Sequence, residues 1–544
     1  METENRENIT EEKFEEPIET KLGKIYLVGA GPGDPSLITL RGKALLERAD
    51  VVVYDYLANK KLLKHVPKDA EFIYAGKKGH VKHSHTQEEI NQLLVAYALA
   101  GKIVVRLKGG DPFIFGRGGE EIEELVKADI PFEVVPGVTA ATAAATYAGI
   151  PITHREYTAS VTFLTGHEDP TKPRSNIAWD KIATGAGTLI FYMGIKNLDH
   201  IVKQLINHGR DPETPAAVVR WASTTRQRSV VGTLEKISSC VKKAGIKPPA
   251  MVVVGDVVKL RKKINWYENR SLFRKRILIT RTRDQASELV AQLEELGADC
   301  LEWATIVIKP PESWDELDRE LKLLKQYKWV LFTSTNGVKF FFSRMFELGM
   351  DSRAFGASRI GAVGTSTADE LMAFGIKADL LPKKFTGEAL AEKLASRGVK
   401  GDKILIPRAV VGGEALPETL RKAGAQVTIV PVYRNMRPKG GEELLRREFE
   451  KKRIDIVTFT SSSTVTNFLH MIGIEDPDEL KKLLKGVTIA SIGPITTKTV
   501  EQSGLKVHIQ PEAYTIPAFV KSIEAHVIKK GSGAAEFLED KESQ

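Results

Sequence analysis

The sequence predicts a chain of α/β units: one α/β half, followed by a half made of two similar α/β lobes. Three observations carry that expectation. Between Lys24 and Asp256, short β-rich apolar runs alternate with amphipathic stretches. The second half repeats itself at a nearly constant offset. At 544 residues the chain is too long for a single hydrophobic core and suggests about three to four compact units.

In the first half, KIYLVGA, ADVVVYD, KIVVRLKGGD, FEVVPG, VTFLTG, TLIFYMG, PAAVVRWA and PAMVVVGDVV read as strands. Several are apolar on both faces, as a sheet covered on both sides requires. The charged run LRKKINWYENRSLFRK breaks the rhythm and is expected to be a linker, with its centre at 266–274 between units at 22–265 and 275–528. In the second half RILITR (276–281) pairs with KILIPR (403–408), and VLFTSTNGVKFF (330–341) with VTFTSSSTVTNF (457–468). RIGAVGTSTADEL (359–371) likewise pairs with TIASIGPITTKTV (488–500), so the offsets are 127, 127 and 129 residues. Two lobes of this kind normally leave a cleft.

Composition narrows the function classes. Apolar residues at 42% and charged residues at 27% are ordinary soluble-protein values. No run approaches the ~20 apolar residues of a membrane span. The acidic start lacks a signal pattern, and segments 1–21 and 529–544 read as disordered tails. Two cysteines exclude a disulfide framework or a cysteine-rich metal site, and a reducing cytoplasm is the simplest setting. The net charge of +9 raises the question of nucleic acid, but lysine and arginine are spread without a dense basic block. A polyanionic small substrate, or solubility alone, accounts for the excess equally well.

Glycine-rich turns carry the chemistry of the first half. Gly29, Gly31 and Gly33 follow a strand and precede a helix, with Asp55 ending the next strand. Their G-x-G-x-G spacing departs from the dinucleotide fingerprint, and Pro32 and Pro35 remove backbone donors that a pyrophosphate cradle would use. Asp34 followed by Pro35 also fits a plain helix cap. A second loop, RLKGGDPFIFGRGGEE (106–121), holds five glycines and demands a contorted backbone. A third segment, PGVTAATAAATYAGIP, is rich in small residues and reads either as a tightly packed helix or as a backbone surface for a ligand.

These motifs together resemble the tetrapyrrole methylase family over residues 22–265, most closely its uroporphyrinogen-III C-methyltransferases. The family's G-x-G-P-G-D-P loop stands as Gly29 to Pro35, its G-G-D-P-x-x-F-G-R-G-G-E-E block as Gly109 to Glu121, its P-G-(I/V)-(T/S)-A segment as Pro136 to Ala140, and its Y-M-G strand end as Tyr192 to Gly194. The resemblance implies a two-subdomain α/β fold and S-adenosylmethionine as methyl donor, with S-adenosylhomocysteine as product. It implies donor contacts from Pro32, Gly109, Gly110, Asp111, Ile114, Thr139, Ala140, Met193, Ala222 and Ala250. It maps the proton acceptor onto Asp55 and the proton donor onto Lys77, with Lys78 beside it. A sulfonium-borne methyl group is electrophilic without a metal, and none is expected. His80, His83 and His85 lack a matching carboxylate pattern and read as a solvated or substrate-facing loop. The substrate's eight carboxylates call for cations, for which Arg106, Arg117 and Arg155 are candidates beside Lys77.

In both repeats of the second half an apolar strand ends in Thr-Ser and a helix begins, at Ser334, Thr335 and Asn336 and at Thr460 and Ser461. Such ends are ordinary helix caps, and they also suit carboxylates. ILITR ending at Arg281, TSTNGV, FTGEAL, ILIPRA, VPVYR and TFTSSSTV together resemble uroporphyrinogen-III synthase over 275–528. That resemblance implies a flavodoxin-like pair of lobes at 275–308 plus 434–528 and at 310–432. It implies closure of hydroxymethylbilane to uroporphyrinogen III with loss of water and inversion of the last ring, without a cofactor. It points to Tyr433 as the acid that helps water leave, and Arg281, Ser334, Thr335, Asn336, Thr460 and Ser461 as substrate contacts. The fused activities would yield precorrin-2, with no nucleic-acid or membrane partner and with homodimerisation through the methylase half left open. The rivals are a methylase of a later corrinoid, a methylase fused to a binding module without turnover, and a dinucleotide-dependent oxidoreductase.

Overall fold

The fold is taken from a computed structural model, which describes residues 22–76, 85–167, 176–280, 283–303, 305, 307–436, 440–474 and 476–542. The chain divides into two compact units, Met1–Arg274 and Lys275–Gln544.

The first unit holds two sheets. Strands β1 (Lys24–Gly29), β2 (Val51–Tyr54), β3 (Glu71–Tyr74), β4 (Ile103–Lys108) and β5 (Phe132–Val135) form a parallel sheet in the order β3-β2-β4-β1-β5. Side chains alternate across it: Ile25, Leu27, Val51, Val53 and Val104 fill one apolar cluster, while Tyr26, Val28, Val52, Val105 and Leu107 fill the other. Burial on both faces explains why these runs are apolar without alternation.

Strands β6 (Val161–Thr165), β7 (Thr188–Tyr192), β8 (Pro215–Arg220), β9 (Arg228–Thr233) and β10 (Ala250–Val254) form the second sheet, in the order β6-β7-β10-β8-β9. Only β6 and β7 are parallel; β7-β10, β10-β8 and β8-β9 are antiparallel. Strands β3 and β9 were not among the runs expected from sequence. Their half-exposed residues give EFIY and RSVVGT little apolar signal.

The segment expected as a linker is instead packed structure. Leu272 and Tyr267 are buried, and Trp266 and Tyr267 pack against the Tyr147 ring with centroids 5.3 and 4.7 Å away. Its aromatics cover the end of helix Ala140–Tyr147, and its Glu268 and Arg274 bond to Gln227, some forty positions earlier in the chain.

The second unit holds two sheets of four and five strands. Strands β11 (Arg276–Ile279), β12 (Asp299–Glu302), β18 (Ile456–Phe459) and β19 (Thr488–Ser491) run parallel in the order β12-β11-β18-β19. Strands β13 (Val307–Lys309), β14 (Trp329–Phe332), β15 (Arg359–Ala362), β16 (Lys403–Ala409) and β17 (Gln426–Met436) are ordered β13-β17-β16-β14-β15, with β13 antiparallel and the rest parallel. Under the internal repeat, β16, β14 and β15 correspond to β11, β18 and β19, and the sheets share one strand order. The lobes are therefore the same motif entered at different points. The crossings fall slightly off the expected positions: β13 pairs with β17, so Val307–Lys309 and the strand through Met436 belong to the inner lobe.

The last helix, Ile516–Glu542, runs through much of the segment expected as a disordered tail. Alanine, glutamate, leucine and lysine in AAEFLEDKE carry high helix propensity, which outweighs the preceding glycines. The other expected tail, 1–21, lies outside the described residues. Among the described residues no helix is long and apolar enough to cross a membrane.

Candidate functional site

Three glycine loops nest at the carboxyl ends of β1, β4 and β5. Gly31 and Gly110 exchange backbone hydrogen bonds of 3.2 and 2.8 Å, and both adopt left-handed φ values of 74° and 73° that glycine alone takes without strain. A methyl group on Gly29 would lie 2.5 Å from the Gly137 backbone, so the loops approach too closely for any side chain there. Asp34 caps the following turn by accepting from Ser36 N–H at 2.9 Å, with Pro35 in the first helical position.

These loops border a cavity of about 740 Å³ lying between the two sheets of the first unit. Of the ten residues expected at the donor site, Pro32, Gly109, Gly110, Ala140, Met193, Ala222 and Ala250 line it. Asp111, Ile114 and Thr139 stand behind the wall. Asp111 accepts from the Phe113 and Gly137 amides at 2.8 and 3.0 Å, and so ties the second loop to the third. Thr139 shares a short hydrogen bond with the buried Tyr192 hydroxyl. Ile114 packs on the apolar cluster beneath. Burial raises the Tyr192 phenol above its ordinary value and keeps it neutral.

The turn Trp221–Arg226 supplies another part of the lining, and of its residues the sequence had pointed to Ala222 alone. Trp221 and Ser223 adopt φ values of 50° and 59°, a conformation costing on the order of 1–3 kcal/mol each in non-glycine residues. The Arg226 guanidinium lies over the Trp221 ring at 4.5 Å, and Tyr56 meets that ring edge-on at 6.2 Å. Lys60, Lys196 and Arg226 are the lysines and arginine of the lining.

Asp55, at the end of β2, accepts from Arg106 Nη2 at 2.7 Å and keeps 28% of its side chain exposed. Arg106 overturns an expectation. It is only 2% exposed, and its Nε donates to the fully buried Glu121 at 3.2 Å. It is therefore not a rim residue that meets substrate carboxylates, because β4 carries it into a sheet covered on both faces. Glu121 also accepts from Lys108 Nζ at 2.7 Å and Gln87 Nε2 at 3.1 Å. Burial, and then the neighbouring Arg106 charge, push the Lys108 ammonium below its ordinary value. Arg117 pairs with Glu120 at 2.5 Å on the surface, and Arg155 is exposed. Lys77, Lys78, His80 and His83 lie outside the described residues; His85 sits 3.8 Å from Glu89.

In the second unit Ser334 caps helix Thr335–Glu347 by accepting from Gly337 N–H at 3.0 Å, and its hydroxyl lies 3.1 Å from that of Tyr433. Tyr433 sits on β17, stacked on Phe340 at 6.0 Å and largely buried. Thr335 and Asn336 are half-buried in the same first turn. In the outer lobe Ser461 caps helix Ser462–Ile472 reciprocally with Thr464, with Thr460 beside it. Helices Thr365–Ala373 and Pro494–Gln502 begin after the neighbouring strands β15 and β19. Each lobe thus sets two helix N-termini side by side. Arg281 lies outside the described residues.

The first unit, with its paired sheets and nested glycine loops over a cavity, is of the tetrapyrrole methylase class by its match to that family's model. The model of Tetrapyrrole (Corrin/Porphyrin) Methylases matches residues 24–238, and that of Uroporphyrinogen-III synthase HemD matches residues 287–521. The chain is 37% identical over 502 residues to the porphyrin biosynthesis protein HemD of Ruminiclostridium josui, covering 92% of this chain and 97% of that one. It is 52% identical to the S-adenosyl-L-methionine-dependent uroporphyrinogen III methyltransferase of Methanosarcina barkeri, over 44% of this chain and 93% of the relative. A solved uroporphyrin-III C-methyl transferase from Thermus thermophilus, complexed with S-adenyl homocysteine, is 40% identical, covers 44% of this chain and 100% of its own, and superposes with a TM-score of 0.38. The chain belongs to the family of porphyrin biosynthesis proteins that join a tetrapyrrole methylase to a uroporphyrinogen-III synthase.

Proposed function

We propose that the chain closes hydroxymethylbilane to uroporphyrinogen III in its second unit and methylates that product twice in its first, giving precorrin-2. The observation that carries the methylase half is the cavity, whose one wall is nested glycine backbone and whose lining includes three cations. The residues that would hold the methyl donor are Pro32, Gly109, Gly110, Ala140, Met193, Ala222 and Ala250 at the wall, with Asp111, Ile114 and Thr139 supporting them. Close backbone approach and small side chains suit a flat nucleoside. Bound there, S-adenosylmethionine supplies an electrophilic methyl group.

Asp55 takes the proton that the ring carbon sheds after methylation, and Arg106 holds its carboxylate in place. Lys77 is assigned the complementary proton donation. Arg117 and Arg155, together with Lys60, Lys196 and Arg226, meet the substrate carboxylates. Lys196→Ala is expected to raise KM for uroporphyrinogen III about tenfold while S-adenosylhomocysteine affinity holds, because one charge-assisted contact is lost. Steady-state kinetics beside calorimetry reads this, and an unchanged KM would remove Lys196 from the clamp.

For cyclisation, Ser334, Thr335, Asn336, Thr460, Ser461 and Arg281 bind the carboxylates of the linear substrate at the helix N-termini. Tyr433 donates a proton to the departing hydroxyl, with Ser334 orienting it. Tyr433→Phe should slow ring closure on the order of tenfold, less than is usual for general acids because the substrate expels water by its own chemistry. Equal rates of uroporphyrinogen III formation in the variant and the parent would leave Tyr433 a packing residue. Both reactions belong in the cytoplasm, where reduced tetrapyrroles persist. Mass spectrometry of products from hydroxymethylbilane and S-adenosylmethionine tests the whole reading: a chain that returned only uroporphyrinogen I would refute it.

A further inference from the structure

The segment joining the two units is wired to the cavity wall. Gln227, fully buried, stands at the junction. Its Oε1 accepts from Ser223 N–H at 3.0 Å, and so holds the left-handed residue at the centre of the cavity turn. Its Nε2 donates to the Tyr147 carbonyl and to Glu268 Oε1, each at 2.9 Å. Glu268 also accepts from Ser229 Oγ at 2.6 Å and from Arg261 Nη2 at 2.6 Å, and Arg274 donates to the Gln227 carbonyl at 2.7 Å.

From this knot the order passes to the first glycine loop. Ser223 Oγ accepts from Asp34 N–H at 3.1 Å, and the Tyr147 hydroxyl donates to Asp34 Oδ2 at 3.1 Å. A methyl group on Gly33 would lie 2.7 Å from Thr224 Cγ2 and 3.0 Å from the Ala222 carbonyl oxygen. The turn and the loop therefore meet without slack, and Pro32, Gly33, Ala222 and Thr224 all line the cavity. A shift of the turn changes the slot width directly.

We infer that Glu268 is a positioning residue for the cavity: through Gln227 it fixes the Trp221–Arg226 turn against the Gly31–Pro35 loop, and so sets the slot for the methyl donor. Burial alone would raise the Glu268 carboxyl, but the hydrogen bonds from Ser229 and Gln227 and the Arg261 charge hold it below its ordinary value, so it is ionised at neutral pH. A carboxylate gripped by three donors is rigid, as a support for a strained turn must be. The inference rests on the cavity being the methyl-donor site.

The test uses the full chain with Glu268→Ala and the conservative Glu268→Gln. Calorimetry with S-adenosylhomocysteine is run well below the thermal midpoint of each variant, beside methylation kinetics and cyclisation in the same preparation. The alanine variant should bind S-adenosylhomocysteine about tenfold more weakly and raise KM for S-adenosylmethionine to match. Its kcat should stay within about threefold, cyclisation should be unchanged, and glutamine should restore most of the affinity. A folded alanine variant with parental affinity overturns the inference, as does a fall in kcat alone. Failure of both variants to fold also overturns it, by making Glu268 a support of the fold. An absence of binding by the parent chain instead overturns the methyl-donor reading of the cavity.

Discussion

Replacing Asp55 by alanine is expected to abolish measurable methylation while hydroxymethylbilane is still cyclised at the parental rate. The carboxylate directly follows β2, is about one-quarter exposed, and is held by a 2.7 Å contact from Arg106. A methylated pyrrole carbon carries positive charge until a proton leaves, and a placed general base contributes roughly 10²- to 10⁴-fold to such a step. Removing it leaves Arg106 facing the gap, and that guanidinium, always protonated, cannot substitute as a base. Product analysis starting from uroporphyrinogen III reads the loss, while cyclisation by the same sample reports on the other unit. Methylation within tenfold of the parent would take the base role from Asp55.

Glu121→Ala should destabilise the first unit by about 3–5 kcal/mol, because removing one partner from a buried ion cluster strands the other charges. Glu121 is fully buried and receives Arg106 and Lys108 together. Without it, two cations remain in an apolar interior with Asp55 as their nearest acid in the cluster. A unit of this size should then melt roughly 6–20 °C lower. Glu121→Gln, which keeps the shape and an acceptor oxygen, should lose less. Thermal unfolding of the three proteins decides the matter: equal midpoints for alanine and parent would mean the cluster adds nothing net. Arg117–Glu120, one position away along the same helix, lies at the surface and should be nearly silent when broken.

How much of this was legible depended on the physics of each residue. The apolar runs of β1, β2, β4, β7, β8 and β10 announce themselves because both of their faces are covered. The 127-residue offset foreshadows two lobes of one design, and the glycine loops mark close backbone approach. Arg106 shows the limit of reading by residue type: a cation suited to carboxylates was assigned to the rim. The signal for its true place was available, since IVVRLK sets it inside an apolar strand. Trp266, Tyr267 and Phe273 likewise hinted that a charged stretch was not free chain. The left-handed turn at Trp221 and Ser223 could not be read, because neither residue is glycine and Gln227, which holds the Ser223 N–H, is itself tied to Tyr147 and Glu268 from distant parts of the chain.

The split outer lobe has a consequence for synthesis on the ribosome. Strand β11 emerges early, yet its neighbour β18 follows far downstream; Thr458 Oγ1 donates to the Leu278 carbonyl across 180 positions of chain. At translation rates of about 5–20 residues per second, the nascent β11–β12 pair waits on the order of 10–40 s for its partner, with an apolar edge uncovered. The inner lobe, strands β13 to β17, is contiguous and can close in that interval. Birth order therefore favours a guest that folds before its host.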